Sequence, residues 1–152
     1  HFAAYRARYP SASEPLAAGQ TLLVEAADTV TSAPELVRLT LNLAMTHTDA
    51  TRSVYGKRLV YGGHTIAIAS KQLAMGLPHI LQILAWYRCD HVGPVFEGDV
   101  LSSQITIKET QKVQDATVAK LAVEVFAKRG PEAPSDLPDA KVLDWSLAVL
   151  LP

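Results

Sequence analysis

Between Leu39 and Ser70 the sequence reads LTLNLAMTHTDATRSVYGKRLVYGGHTIAIAS. It sets a polar Asn42 five residues before His47 at the close of an apolar helical pattern, then opens a second such pattern with Tyr61-Gly62-Gly63-His64. Three kinds of chemistry are available there. The His47 imidazole can orient water and accept its proton near neutrality. The backbone N–H groups of Gly62, Gly63 and His64, at a helix N-terminus, can point at a carbonyl oxygen that gains negative charge, and two glycines let a ligand approach the backbone closely. Asn42 can hold water by hydrogen bonds but cannot exchange a proton. Plainer roles exist for each: a packing or capping histidine, an asparagine that satisfies a buried carbonyl, a Gly-Gly turn. The stretch is therefore either an active site or only the join between two core helices.

The elements that would position these groups follow from periodicity. Residues 1–18 hold two prolines and little pattern, and read as an arm or linker; the domain is expected to run from Gly19 to the C-terminus, residues 19–152. Gln20 to Val30 is strand-like. Ser32 then stands where it can cap a helix, with Pro34 in the first turn and Glu35 three positions on. That helix would carry Leu36, Leu39 and Leu43 on one stripe, beside Val37, Leu41 and Ala44. Residues 49–61 form a polar loop. A second helix starts near Gly63 or His64 and runs to Gly76, where Pro78 follows as a stop signal. Its apolar residues lie on nearly every side, so burial all round is expected. Four strands come next: Ile80 to Val92, Val100 to Gln111 with Leu101, Ser103, Ile105 and Ile107 on one face, Thr117 to Arg129, and Lys141 to Leu151. The last two are separated by a proline-rich loop, GPEAPSDLPD. One strand, two helices and four consecutive strands make an α+β protein with an antiparallel sheet. A sheet curled around a central apolar helix is the hot-dog fold.

Composition removes several classes of function. The chain has 152 residues, of which 49% are hydrophobic and 19% charged, enough for one domain with a substantial core. No run approaches the roughly 20 apolar residues needed to span a bilayer, so no membrane association is expected. With 14 basic against 15 acidic residues, it lacks the positive excess that nucleic acid demands. Its single cysteine, Cys89, excludes an internal disulfide, and no secretory signal opens the chain; a cytoplasmic location is the expectation. Cys89 and His91 share a strand face, but two ligands make no zinc site, so no metal is expected and the pair reads as structural. Trp86, Tyr87 and Trp145 fall on strands as core or interface material.

The order of motifs resembles the MaoC-like dehydratases, or (R)-specific enoyl-CoA hydratases, from about Gly19 to the C-terminus. His47 falls on the motif histidine, Asp49 on the aspartate two beyond it, Tyr55-Gly56 on the aromatic-Gly, and Gly62 on the glycine that starts the central helix. Pro94-Val95-Phe96-Glu97-Gly98-Asp99-Val100-Leu101 looks like the family's turn into a sheet strand. Departures are equally plain: Asn42 replaces the catalytic aspartate, Ala44 and Met45 stand where Asn-Pro is usual, and Tyr61 replaces the histidine before Gly62.

The resemblance implies a lyase that adds or removes water at the β-carbon of an acyl-CoA thioester, with coenzyme A part of the substrate and no separate cofactor. Such chemistry needs a base for water, a proton for the α-carbon and donors for the enolate oxygen. His47 and Asn42 would be catalytic, Gly62, Gly63 and His64 would bind the carbonyl, and Asp49 and Tyr61 would support them. Arg52, Lys57 and Arg58 could meet the phosphates of coenzyme A, although such loop clusters are usually solvated. The two arginines would also suit a small dicarboxylic or methyl-branched acyl group such as mesaconyl. Asn42 keeps a second reading open: a non-catalytic hot-dog half that binds acyl-CoA or scaffolds an active partner. The family works as dimers or as two fused hot dogs, and a chain opening His1-Phe2 rather than with methionine fits a C-terminal half. A thioesterase is the third reading, but no carboxylate is well placed near Gly62.

Overall fold

Period-2 patterns account for five antiparallel strands in a computed structural model of the chain, which describes residues 2–13 and 15–152. They are β1 (Thr21–Thr29), β2 (Gln82–His91), β3 (Val100–Val113), β4 (Ala116–Lys128) and β5 (Ala140–Leu151), with α1 (Phe2–Arg8), α2 (Ala33–Leu39) and α3 (Gly62–Gly76) outside the sheet. The strand order is β1-β3-β4-β5-β2, which leaves β1 and β2 as edges. Leu101, Ser103, Ile105 and Ile107 do share one buried face of β3. Leu121, Val123 and Val125 of β4 and Leu143, Trp145 and Leu147 of β5 extend that face. No helix among the described residues is long and apolar enough to cross a membrane.

Helix α3 packs on β1 and β3. Wholly buried Gln72 fastens it there: Nε2 donates to the Leu101 carbonyl at 2.9 Å and to Asp28 Oδ2 at 2.8 Å. Bonds from Lys71, the larger cause, and from Gln72 hold the Asp28 carboxyl below its ordinary range. The helix is not covered on every side as its composition implied. Thr65, Ala69, Gln72 and Leu73 are buried, while Ala67, Lys71 and Ala74 face outward.

The N-terminal arm is helical over Phe2–Arg8, with a short 3₁₀ turn at Pro10–Ser13, and lies against the far end of α3. Two other expectations are corrected. Ser32 does not cap α2: its φ is 58° and its side chain makes no capping bond. Glu97 supplies that function from 64 residues away, its Oε2 accepting from the Ala33 amide at 3.1 Å. The α2 stripe also stops early. Asn42 donates to the Val37 carbonyl and Leu41 to that of Arg38, with Leu41 in the left-handed region at φ 55°, a Schellman closure built on leucine instead of glycine. Leu39, Leu41 and Leu43 are consequently 80%, 81% and 92% exposed.

Candidate functional site

The site is assembled from the chain between α2 and α3. His47 ends a 3₁₀ turn, Met45–His47, that is stapled to the residues just before α3. Leu59 donates its amide to the Thr46 carbonyl at 3.0 Å, and His47 Nδ1 donates to the Leu59 carbonyl at 2.9 Å. Because a carbonyl can only accept, Nδ1 carries the proton and a neutral ring presents Nε2 as its acceptor. The next amide, of Val60, donates to Val95 and ties the same segment to the 94–99 turn. Tyr55 rests edge-on against buried Phe96 in that turn, ring centroids 5.6 Å apart.

Tyr61 caps α3, and its ring lies edge-on to His47 at 5.8 Å. Its carbonyl accepts the His64 amide at 2.8 Å. The His64 N–H is thus already used, and the helix-start amides left for a ligand are those of Gly62 and Gly63. A Cβ on Gly62 would stand 2.5 Å from His91 Nε2, and one on Gly63 2.5 Å from the Tyr61 ring. The paired glycines are therefore the surface on which two rings lie, more than a turn before a helix.

Pairing His91 with Cys89 as structural material missed this contact. Cys89 does pack against the core, but the last residue of β2 sends its imidazole over to the start of α3. The available signal was its place two residues before Gly93-Pro94, at the head of the turn that holds Val60.

The His64 imidazole is half-buried, with Nδ1 enclosed and unpartnered among the described residues. Burial pushes its pKa down, against a smaller upward pull from Glu97. Burial is the leading cause of this lowering. Packing likewise lowers the pKa of His91, with Asp90 opposing. A histidine whose folded pKa lies below its unfolded value takes up protons more readily when unfolded. Stability should hold above the ordinary pKa of about 6.5 and fall as pH drops through it toward the lowered folded value. Thermal unfolding followed between about pH 7.5 and 5 should show this decline. His64→Gln should flatten it, and a variant profile parallel to wild type would show that His64 contributes nothing.

The other nominated residues are less convergent. Asn42 turns its Oδ1 back to the Ala44 amide at 2.8 Å. Asp49 accepts from the Thr51 amide and hydroxyl at 2.9 and 2.7 Å, which hold its carboxyl below the usual range and cap the turn Ala50–Arg52. A cleft of about 490 Å³ opens beside this turn, lined by Asp49, Lys57, Arg58, Glu97 and Glu132 among others. Arg52 is not part of it. Three carboxylates face two cations there, and Lys57 lies 4.0 Å from Glu132, so the expected phosphate cradle is not electropositive.

No known family profile matches the sequence. A Mycobacterium tuberculosis protein with a double hot-dog fold superposes with a TM-score of 0.81 and 42% identity, covering 99% of this chain and 44% of that one. The chain is one hot dog. Mesaconyl-CoA hydratase of Cereibacter sphaeroides is 34% identical over 96 residues, 62% of this chain and 28% of the relative. Beta-methylmalyl-CoA dehydratase of Chloroflexus aurantiacus is 30% identical over 107 residues, 64% and 30% of the two chains. Solved MaoC-like dehydratases and an (R)-hydratase, at 20–23% identity, share the hot-dog fold. The hot dog spans less than half the length of the Mycobacterium tuberculosis protein and of these two curated relatives.

Proposed function

We propose that this hot dog hydrates enoyl-CoA thioesters, or dehydrates the corresponding 3-hydroxyacyl-CoA, with His47 as the group that takes the proton from water. One observation carries the reading: the Leu59 carbonyl fixes His47 with Nε2 as acceptor, next to the residue whose helix begins with the open amides of Gly62 and Gly63. In the reaction Nε2 would remove a proton from water as its oxygen bonds to the β-carbon and the alkene π pair moves onto the thioester oxygen; the imidazolium so formed would then give that proton to the α-carbon as the enolate collapses. The two amides would meet the charge that develops on the thioester oxygen. His91 and Tyr61 would flank the same backbone and limit access of bulk water. The similarity to a mesaconyl-CoA hydratase supports a small branched dicarboxylic acyl group as substrate class, coenzyme A arriving as part of the substrate.

A second hot dog is the proposed partner, in another copy or in the same polypeptide. Leu39, Leu41, Leu43 and Val54 expose apolar surface in the segment that carries the site, and the edge strand β2 exposes Trp86 and Tyr87. Contiguous apolar surface and unpaired strand edges are what a partner would cover.

The local turn at Asn42 favours the alternative of a non-catalytic half, because a carboxamide bonded to Ala44 supplies no second proton-exchanging group. Assays of the purified protein with crotonyl-CoA and mesaconyl-CoA, following loss of the conjugated double bond, separate the two. Asn42→Asp should raise hydration about tenfold or more, short of the full ~10²–10⁴ of a well-aligned acid–base group, because the Ala44 amide competes for the new carboxylate. An unchanged or lower rate would mean that position 42 does not face the reacting water.

A further inference from the structure

A larger pocket, about 520 Å³, opens at the other end of α3. Fifteen helical residues at 1.5 Å each put about 22 Å between the Gly62 end and the Gly76 end, so this is not the thioester site. Its volume lies within the range of pockets that enclose small organic ligands. Leu16, Leu22, Leu77 and Leu151 give it an apolar floor, and Arg6 and Lys112 stand in its wall. No carboxylate side chain is among the described residues that line it, and Lys112 forms no ion pair among the described residues.

The N-terminal arm makes one side of the pocket and is fixed in place by named bonds. His79, just past the end of α3, bonds through Nδ1 to the Tyr5 hydroxyl at 3.2 Å and through Nε2 to the Ser11 hydroxyl at 2.8 Å. Arg6 Nη1 donates to the Asp115 carbonyl at the β3–β4 turn at 2.7 Å, its one hydrogen bond among the described residues, so other N–H groups of the guanidinium remain for a ligand. The pocket thus joins leucines that gain from contact with hydrocarbon to two cations that face no carboxylate side chain among the described lining residues, with Pro152 also in the lining.

We propose that this pocket binds an amphipathic carboxylate with a medium-length apolar tail, the tail on the leucine floor and the carboxylate between Lys112 and Arg6. The site is separate from hydration at His47 and stands or falls independently of it. Decanoate is the probe, with decanol as its uncharged counterpart, in an amide NMR titration of the full protein. Decanoate should shift the amides of Gly76, Leu77 and Thr117 saturably, and decanol should bind at least tenfold more weakly. Lys112 is exposed near the end of β3, so Lys112→Glu should leave the fold intact and weaken decanoate at least tenfold. Absence of saturable shifts at those amides, equal affinity for decanol, or full affinity in Lys112→Glu would each overturn the proposal.

Discussion

His47→Ala is expected to lower enoyl-CoA hydration by about 10²–10⁴-fold, the contribution typical of a positioned acid–base group. The loss should fall on kcat with little change in KM, because the imidazole acts on water and makes no claim on the coenzyme portion of the substrate. Stability should change far less. The side chain is only half-buried, and its bond to the Leu59 carbonyl is a single hydrogen bond of about 1 kcal/mol net. His47→Gln separates chemistry from geometry. An amide can restore a donor to Leu59 and keep the loop staple, yet it cannot take a proton, so it should recover thermal stability without recovering rate. Turnover unaffected by either substitution would place the base elsewhere and remove His47 from the mechanism.

The parts of this arrangement that were legible in the sequence are those governed by local periodicity. Alternation at Leu101, Ser103, Ile105 and Ile107 can serve only one sheet face, and those residues share it. Gly76 and Pro78 bracket the end of α3 by their own backbone preferences. Features set by distant backbone were not legible. The cap of α2 comes from Glu97, across 64 residues, so no local pattern could have favoured it over Ser32. The leucine stripe through Leu39 and Leu43 has a helical period, but a left-handed Leu41 ends the helix and turns those side chains to solvent. Within the site, the acceptor that fixes His47 is a main-chain carbonyl, which has no sequence signature. The spacing of His47 and Gly62 could bring them into one region; only the folded chain shows that His91 shares it and that Asn42 is bonded to its own turn.

Asp99→Ala should be the most destabilising single change in the region that holds the site, by about 3–5 kcal/mol, the usual cost of removing one partner of a buried ion pair. Asp99 is fully enclosed and Arg129 is 9% exposed. The carboxylate accepts from the Phe96 amide at 3.0 Å, from Arg129 Nη1 at 2.8 Å and from the Gly130 amide at 2.8 Å. Without it the guanidinium keeps carbonyl acceptors at Pro94 and Pro138 but has no charge to balance it. Asp99→Asn should cost nearly as much, because an amide NH₂ would confront a donor on one side or the other. Against a total stability of about 5–15 kcal/mol this is a large fraction, and Tm should fall by roughly 10 °C. Glu25→Ala, on the exposed face of β1, should stay within about 0.5 kcal/mol. The effect should also reach the site. Asp99 closes the turn whose Val95 carbonyl holds Val60, one residue before the cap of α3, and whose Glu97 holds the start of α2. Gly130 seals the latch from the other side: a Cβ there would stand 2.1 Å from the Gly98 carbonyl oxygen. Loosening the turn should therefore lower kcat well below the unfolding midpoint, where the fold is still intact by circular dichroism. If Asp99→Ala melts earlier but turns over at the wild-type rate while folded, the latch maintains the sheet and does not position the catalytic loop.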